Sequence, residues 1–303
     1  MNNKSETIGS LIEAINIFLN NTNSAPKNKG GYELMYRGHS SEKYLLQPSI
    51  FRDNRLRVEA QMIQELKRLS PIDFPNPILD IEDLIKMQHY GLPTRLLDFS
   101  LNPLVALYFA CQTSKEEEHK NDNGEIIAFY GKLEQTNSFA TKRFARLSSY
   151  EGKTEKAFQK LLNIKDSSDA ASLDKTSQLI HEKLTEYYSK KYIFIPAVHN
   201  NERIRRQNGV FMFFGIDIAT INPFEKSSFI YEKDDLEPQY EGMNVRIVVP
   251  KEVKTKILSD LDALGINHGF LFPELEHQAF SIDEKFLREA GAKPPKRTLR
   301  VLR

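Results

Sequence analysis

Between Thr7 and Asn20, apolar residues recur at Ile8, Leu11, Ile12, Ile15, Phe18 and Leu19. That helical spacing predicts an amphipathic helix, capped near Thr7 or Ser10 and laid over the domain as a lid. Tyr32 to Gly38 predicts a strand that leaves the core at Arg37, and Tyr44 to Phe51 a second extended piece broken at Pro48. Arg57 to Leu69 predicts a helix with Val58, Met62, Ile63 and Leu66 facing inward.

The pattern is densest from Met87 to Cys111. A helix carrying Ile81, Leu84 and Ile85, with Asp80 as N-cap, should stop at Gly91-Leu92-Pro93 because proline cannot continue it. A strand through Leu96 and Leu97 to Ser100 follows, crowded with the polar side chains of Thr94, Arg95, Asp98 and Ser100. Asn102 then offers a cap and Pro103 a first helical residue for Leu104 to Cys111, which is apolar nearly all round and so predicted to be buried. A polar strand end pinned by a buried helix is a rigid mount for a site. Arg95 and Asp98 read either as a buried ion pair or as pocket residues beside His89 and Tyr90.

Further along, Glu125 to Gly131 and Tyr192 to Pro196 predict strands, and Gly209 to Gly215, apolar on both faces, a central one. Phe229 to Glu232 and Asn244 to Pro250 predict two more, and Lys251 to Leu264 an amphipathic helix ended by Gly265. His268 to Gln278 reads as a short extended run in which Glu274 and Glu276, two positions apart, face one side. Residues 1–29 therefore read as an N-terminal helix and linker, and 30–291 as an α+β domain with a helical insertion at about 133–191. Residues 292–303 form a basic tail. Strands do not alternate regularly with helices, so the sheet is expected to be mixed or split and mainly antiparallel, flanked by helices.

Charge narrows the chemistry only by exclusion. Forty-two basic against 41 acidic residues leave +1, so no global field draws the chain to nucleic acid or an anionic membrane. One cysteine, Cys111, lies in the apolar helix and suits a reducing, cytoplasmic setting. No run approaches the ~20 apolar residues of a membrane span, so no membrane partner is expected. The seven histidines show no pairing at metal-ligand spacing, so no metal is predicted.

Tyr36-Arg37-Gly38, the run HYGLPTRLLDFSLNPLVALYFA, the Arg203-Ile204 to Gln207-x-Gly209-x-Phe211 segment and Leu271-Phe272-Pro273-Glu274-Leu275-Glu276 resemble the FRG domain over about residues 30 to 280. That family is named for its aromatic-Arg-Gly motif. The order of three short motifs is also similar to Arg-Ser-Glu-type ADP-ribosyltransferases: Tyr36-Arg37-Gly38, then Asp98-Phe99-Ser100 with its Asn102-Pro103 helix, then Glu274-Leu275-Glu276.

The second resemblance implies an NAD-consuming ADP-ribosyltransferase-like enzyme, a toxin or antiphage defence effector. NAD would be a substrate, and the acceptor protein, nucleic acid or water. Glu276 would stabilise oxocarbenium charge on the ribose, Glu274 would orient or deprotonate the acceptor, and Ser100 would fix the carboxylate or a ribose hydroxyl. Arg37 would hold the diphosphate. Gly38, His39, His89, Tyr90, Thr94, Arg95 and Asp98 would line the pocket. The alternative is a non-catalytic nucleotide or nucleic-acid binding module using Arg37, Arg95, Arg203, Arg205 and Arg206. A phosphodiester hydrolase using His89 and the acids is less favoured for want of an acidic metal cluster.

Overall fold

The structure is a computed structural model that describes residues 5–25, 31–53, 55–149, 192–197, 201–215, 244–275, 277–279, 282, 283 and 286. The strand expected at Phe229 to Glu232, the tail from Ala292, Glu276, and most of the helical insertion expected at about 133–191 lie outside the described residues.

Seven strands form one sheet in the order β1-β7-β4-β2-β3-β6-β5. They are β1 (Ser5–Thr7), β2 (Tyr32–His39), β3 (Leu96–Ser100), β4 (Gly124–Lys132), β5 (Tyr192–Pro196), β6 (Gly209–Phe214) and β7 (Asn244–Val249). Among the described strand pairs β1/β7 is parallel and the other five are antiparallel. The helices are α1 (Leu11–Ser24), α2 (Glu59–Leu69), α3 (Ile81–His89), α4 (Pro103–Cys111), α5 (Phe139–Ser148), α6 (Glu202–Arg206), α7 (Lys251–Ala263) and α8 (His268–Leu271). The mainly antiparallel α+β architecture is the one expected.

The sheet is unevenly sewn. β2 and β4 pair along their whole lengths, from Tyr32↔Lys132 to His39↔Glu125, and β3 pairs with β6 from Leu96↔Phe213 to Ser100↔Gly209. Between β2 and β3 only Tyr36↔Ser100 is in register. Beyond that pair, Arg37 to His39 and Leu96 to Phe99 run on without laddering, so the sheet opens between two well-paired halves.

Three apolar clusters hold it. One face of the β1-β7-β4-β2 half is covered by α1, α4 and α7, with Tyr36, Ile126, Ile247, Leu107 and Ile257 at its centre. Alternate residues of the same strands, Met35, Ile127 and Phe129, join Leu97, Phe99, Met212 and Phe214 on the opposite face, beneath Leu46, Ile50, Phe51 and Leu56. A third cluster packs Leu96, Ile193, Phe211 and Phe213 against α2, α3 and α5.

Helix α4 lies against the sheet because two glycines let it. A Cβ on Gly38 would sit 1.8 Å from the Ala106 carbonyl oxygen, and one on Gly124 would sit 2.1 Å from that of Ala110. The helix starts as expected, with Asn102 Oδ1 accepting from Leu104 N and Pro103 at its first turn. Cys111 is buried on it, and burial pushes the thiol up to about 12, against the pull of Lys254. It is a core thiol.

Several expectations are corrected. Helix α1 is capped by Ser10, but it buries Leu11, Ala14 and Phe18 as part of the core, while Ile12 and Leu19 face solvent. It is a wall of the domain rather than a lid. Residues 44–51 form a loop and the 3-10 turn Ser49–Phe51, because Pro48 cannot donate to a ladder and Ile50 and Phe51 serve as plugs. Val58 precedes α2 and is 41% exposed. His268 to Gln278 is not extended: it begins with α8 and turns at Glu274.

Candidate functional site

The opening between β2 and β3 is spanned by Arg37. Its Nη1 donates to the Asp98 carbonyl oxygen at 2.5 Å and its Nε to His39 Nε2 at 2.9 Å. Both residues lie on one side of β2, two positions apart, so the strand period aims them together. Burial lowers the Arg37 guanidinium to about 10; Asp98 opposes the shift and Arg52 adds to it. It is a cation at neutral pH whose hydrogen bonds among the described residues go to a carbonyl oxygen and an imidazole nitrogen.

Asp98 is exposed on β3, and its Oδ1 accepts from Gln88 Nε2 at 3.0 Å. Gln88 Oε1 in turn accepts from the buried Thr94 hydroxyl at 2.5 Å. The C-terminal end of α3 is thereby tied to the edge of the opening. The next residue, His89, has Nε2 3.2 Å from Asn201 Nδ2, the cap of α6. Its pKa is lowered by burial and then by Arg203, with Glu274 opposing. Tyr90 is exposed, with its ring edge-on to His89.

From there the contacts run to the segment after α7. Arg203 lies over the Phe272 ring at 4.6 Å and 4.0 Å from Glu274 Oε1. The other carboxylate oxygen of Glu274 is buried and has no partner among the described residues. His268 stacks on Phe272 and approaches His277, ring nitrogen to ring nitrogen, at 3.1 Å. Burial, then His277 and Arg203, push His268 down to about 4. An imidazole in such surroundings is neutral and binds as a hydrogen-bond partner.

Two of the expected pocket residues have other duties. Arg95 is 0% exposed and faces Glu59 of α2, with Nε donating to both carboxylate oxygens at 2.7 and 2.9 Å and Nη2 to Oε2 at 2.5 Å. The expected pairing with Asp98 is replaced by this one, and Arg95 does not reach the opening's solvent. Ser100 is also buried: its hydroxyl lies 2.6 Å from the Gln207 carbonyl oxygen and 3.1 Å from that of Asn102, its single proton going to one of them, and it accepts from Asn102 N at 2.9 Å. Gln207 passes the connection on, with Nε2 donating to the Leu271 carbonyl at 3.1 Å. Gly38, expected to line the pocket, lies against the Ala106 carbonyl and admits α4.

Arg37, His39 and Asp98 thus meet at the opening. Gln88 and Thr94 adjoin them, and His89, Arg203 and Glu274 form a second group linked to the first through α3. Glu276 lies outside the described residues. Arg52 and Gln88 were not singled out by sequence reasoning, and only Gln88 carried a signal, its place one residue before His89 at a helix end; Gln207 entered only as part of the motif that resembles the FRG domain. Among the described residues one group has the spacing of metal ligands, Glu116, Glu118 and His119, but its carboxylates are exposed and His119 Nδ1 is already bound to Asp122 at 2.7 Å. Asp122 also accepts from Lys43 and Ser41, contacts that hold its carboxyl well below the usual range and pin the loop after β2. No helix among the described residues is long and apolar enough to cross a membrane.

Residues 32–119 match the family model of the FRG domain. The matched span runs from β2 to the turn after α4 and contains Arg37, Arg52, Glu59, Arg95, Asp98 and Ser100, but not Arg203 or Glu274. No curated protein and no solved structure matches the chain.

Proposed function

We propose that the protein is an NAD-consuming ADP-ribosyltransferase-like enzyme that holds the dinucleotide at the β2/β3 opening and cleaves its nicotinamide–ribose bond. The observation that carries this reading is Arg37, a half-buried guanidinium at the β2/β3 opening, where a single residue pair is in register, bonded to a carbonyl and an imidazole. Such a group gains most from an anionic ligand, and a diphosphate offers several acceptor oxygens.

Cleavage leaves the bonding electrons on nicotinamide and positive charge on the ribose. A carboxylate beside the sugar stabilises that charge more in the transition state than in the ground state. Glu276 is the candidate for this role. Glu274, half-buried beside Arg203, is the candidate to orient a ribose hydroxyl or the acceptor, and its unpartnered oxygen suits such a donor. His89, whose charged form is disfavoured by burial and by Arg203, stands beside Asn201 and near Glu274 as a neutral hydrogen-bond partner. A cytoplasmic toxin or defence effector acting on cellular NAD fits this chemistry, with protein, nucleic acid or water as acceptor.

A second reading, a nucleotide-binding module without turnover, is favoured by Ser100, whose hydroxyl is engaged by backbone groups on both sides. Nicotinamide release from NAD by the purified chain separates the two. Release that Glu276→Gln abolishes with the fold intact supports the enzyme. Binding of NAD without release supports the module.

A further inference from the structure

We propose that Arg52 is a second phosphate-gripping residue of the β2/β3 opening, and that it forms with Arg37 a two-guanidinium site selective for a diphosphate over a monophosphate. The proposal rests on the reading of the opening as a nucleotide site and specifies which part of the nucleotide is recognised there.

Arg52 is carried to the opening by its neighbours. Ile50 and Phe51 are buried in the cluster with Met35, Leu97 and Phe99, on the side of the sheet to which Arg37 belongs. The turn is fixed by Arg52 N donating to the Ser49 carbonyl at 3.2 Å and by Arg55 N donating to the Arg52 carbonyl at 3.2 Å. The turn therefore covers the face of β2 that bears Met35 and Arg37, and the Arg52 charge opposes that of Arg37.

No described carboxylate answers Arg52. Its Nε is buried and has no hydrogen-bond partner among the described residues. Asp53, the adjacent acid, stands in a left-handed backbone conformation at φ 56 and pairs with Arg55 at 2.8 Å. Asp98 holds Gln88, and Glu59 holds Arg95. A buried guanidinium nitrogen without an acceptor is costly, and the charge of Arg52 adds to the cost at Arg37, which Asp98 opposes without bonding either guanidinium through its carboxylate. A bridging anion removes both penalties at once. Two planar forks with separate donors fit two linked phosphates, one each, whereas a single phosphate leaves one fork unanswered.

Calorimetric titration of ADP, AMP, adenosine and inorganic pyrophosphate into the full chain at low salt tests this, with Arg52→Gln and Arg52→Lys as variants. The expected result is ADP binding about tenfold or more tighter than AMP, loss of about tenfold on ADP and pyrophosphate in Arg52→Gln, and a smaller loss in Arg52→Lys. Unliganded Arg52→Gln should be about as stable as the parent chain, since it removes a buried nitrogen without an acceptor and no ion pair among the described residues. ADP binding by Arg52→Gln within twofold of the parent overturns the role of Arg52 and leaves the nucleotide reading standing. Pyrophosphate binding that depends on Arg52, without any binding of NAD or ADP, supports the two-arginine site and defeats the nucleotide reading. Failure of the parent chain to bind ADP, NAD or pyrophosphate overturns both.

Discussion

Two arginines leave the same region of the sheet and meet opposite fates. Arg95, just before β3, is sealed in the interior with a carboxylate grasped by two of its nitrogens, although Nη1 has no partner among the described residues. Arg37, on the neighbouring strand, keeps its charge half-exposed, bonded to neutral groups and crowded by Arg52. Buried charges persist when paired, so the Arg95/Glu59 contact explains itself as a tie between α2 and the start of β3. At Arg37 and Arg52 only the charge of Asp98 works against the repulsion, no carboxylate among the described residues bonds either guanidinium, and an external anion would supply that bond. The same residue type therefore marks structure in one place and a site in the other, and what separates them is the partner.

Breaking the closed pair should have the largest effect. Glu59→Gln leaves Arg95 buried without a counter-charge and is expected to cost about 3–5 kcal/mol in denaturant unfolding. Gly38→Ala drives a methyl into the Ala106 carbonyl and should cost about 3 kcal/mol by the same measurement, because α4 cannot retreat without uncovering the core. At the open pair the currency changes. Arg37→Gln should weaken ADP binding about tenfold in calorimetry while altering stability much less than Glu59→Gln does.

Ser100→Ala should behave in the opposite way, losing about 1–2 kcal/mol of stability with ADP affinity within twofold of the parent. A large affinity loss in Ser100→Ala would move the hydroxyl from scaffold to site. The smallest effect concerns pH. His268 titrates near 4 when folded, against about 6.5 when unfolded, so the unfolded chain binds more protons between those values. Its contribution is present in full above about pH 6.5 and is lost as pH falls toward about 4. Discounted for partial exposure, the parent should lose about 1 kcal/mol more than His268→Phe between pH 7.5 and 5, read as the shift in denaturant midpoint.

Much of the fold was legible because its signals are local. Asp80 and Asn102 cap α3 and α4 as their positions suggested, and the apolar run of β6 does lie inside the sheet. Segments with aromatic and proline residues but no clear period misled: residues 44–51 and 268–278 look extended but fold as turns and a short helix. The three-residue β1 is too short to carry a pattern, and it exists only because β7 offers an edge.

The site was half legible. Arg37 and Asp98 stood out as polar groups at strand ends. The partner of Arg95 lies 36 positions away on a helix surface, where nothing local distinguishes Glu59 from a solvated acid. Arg52 was invisible for a related reason: its meaning comes from the absence of a carboxylate, which only the packed neighbourhood reveals.

The central claim is that the opening between β2 and β3 receives the diphosphate of a nucleotide. A crystal structure of the chain with ADP-ribose tests it most directly. Phosphate oxygens about 3 Å from the guanidinium groups of Arg37 and Arg52 are the predicted result. A diphosphate bound instead beside Arg203 and Arg206, with the opening empty, would contradict it.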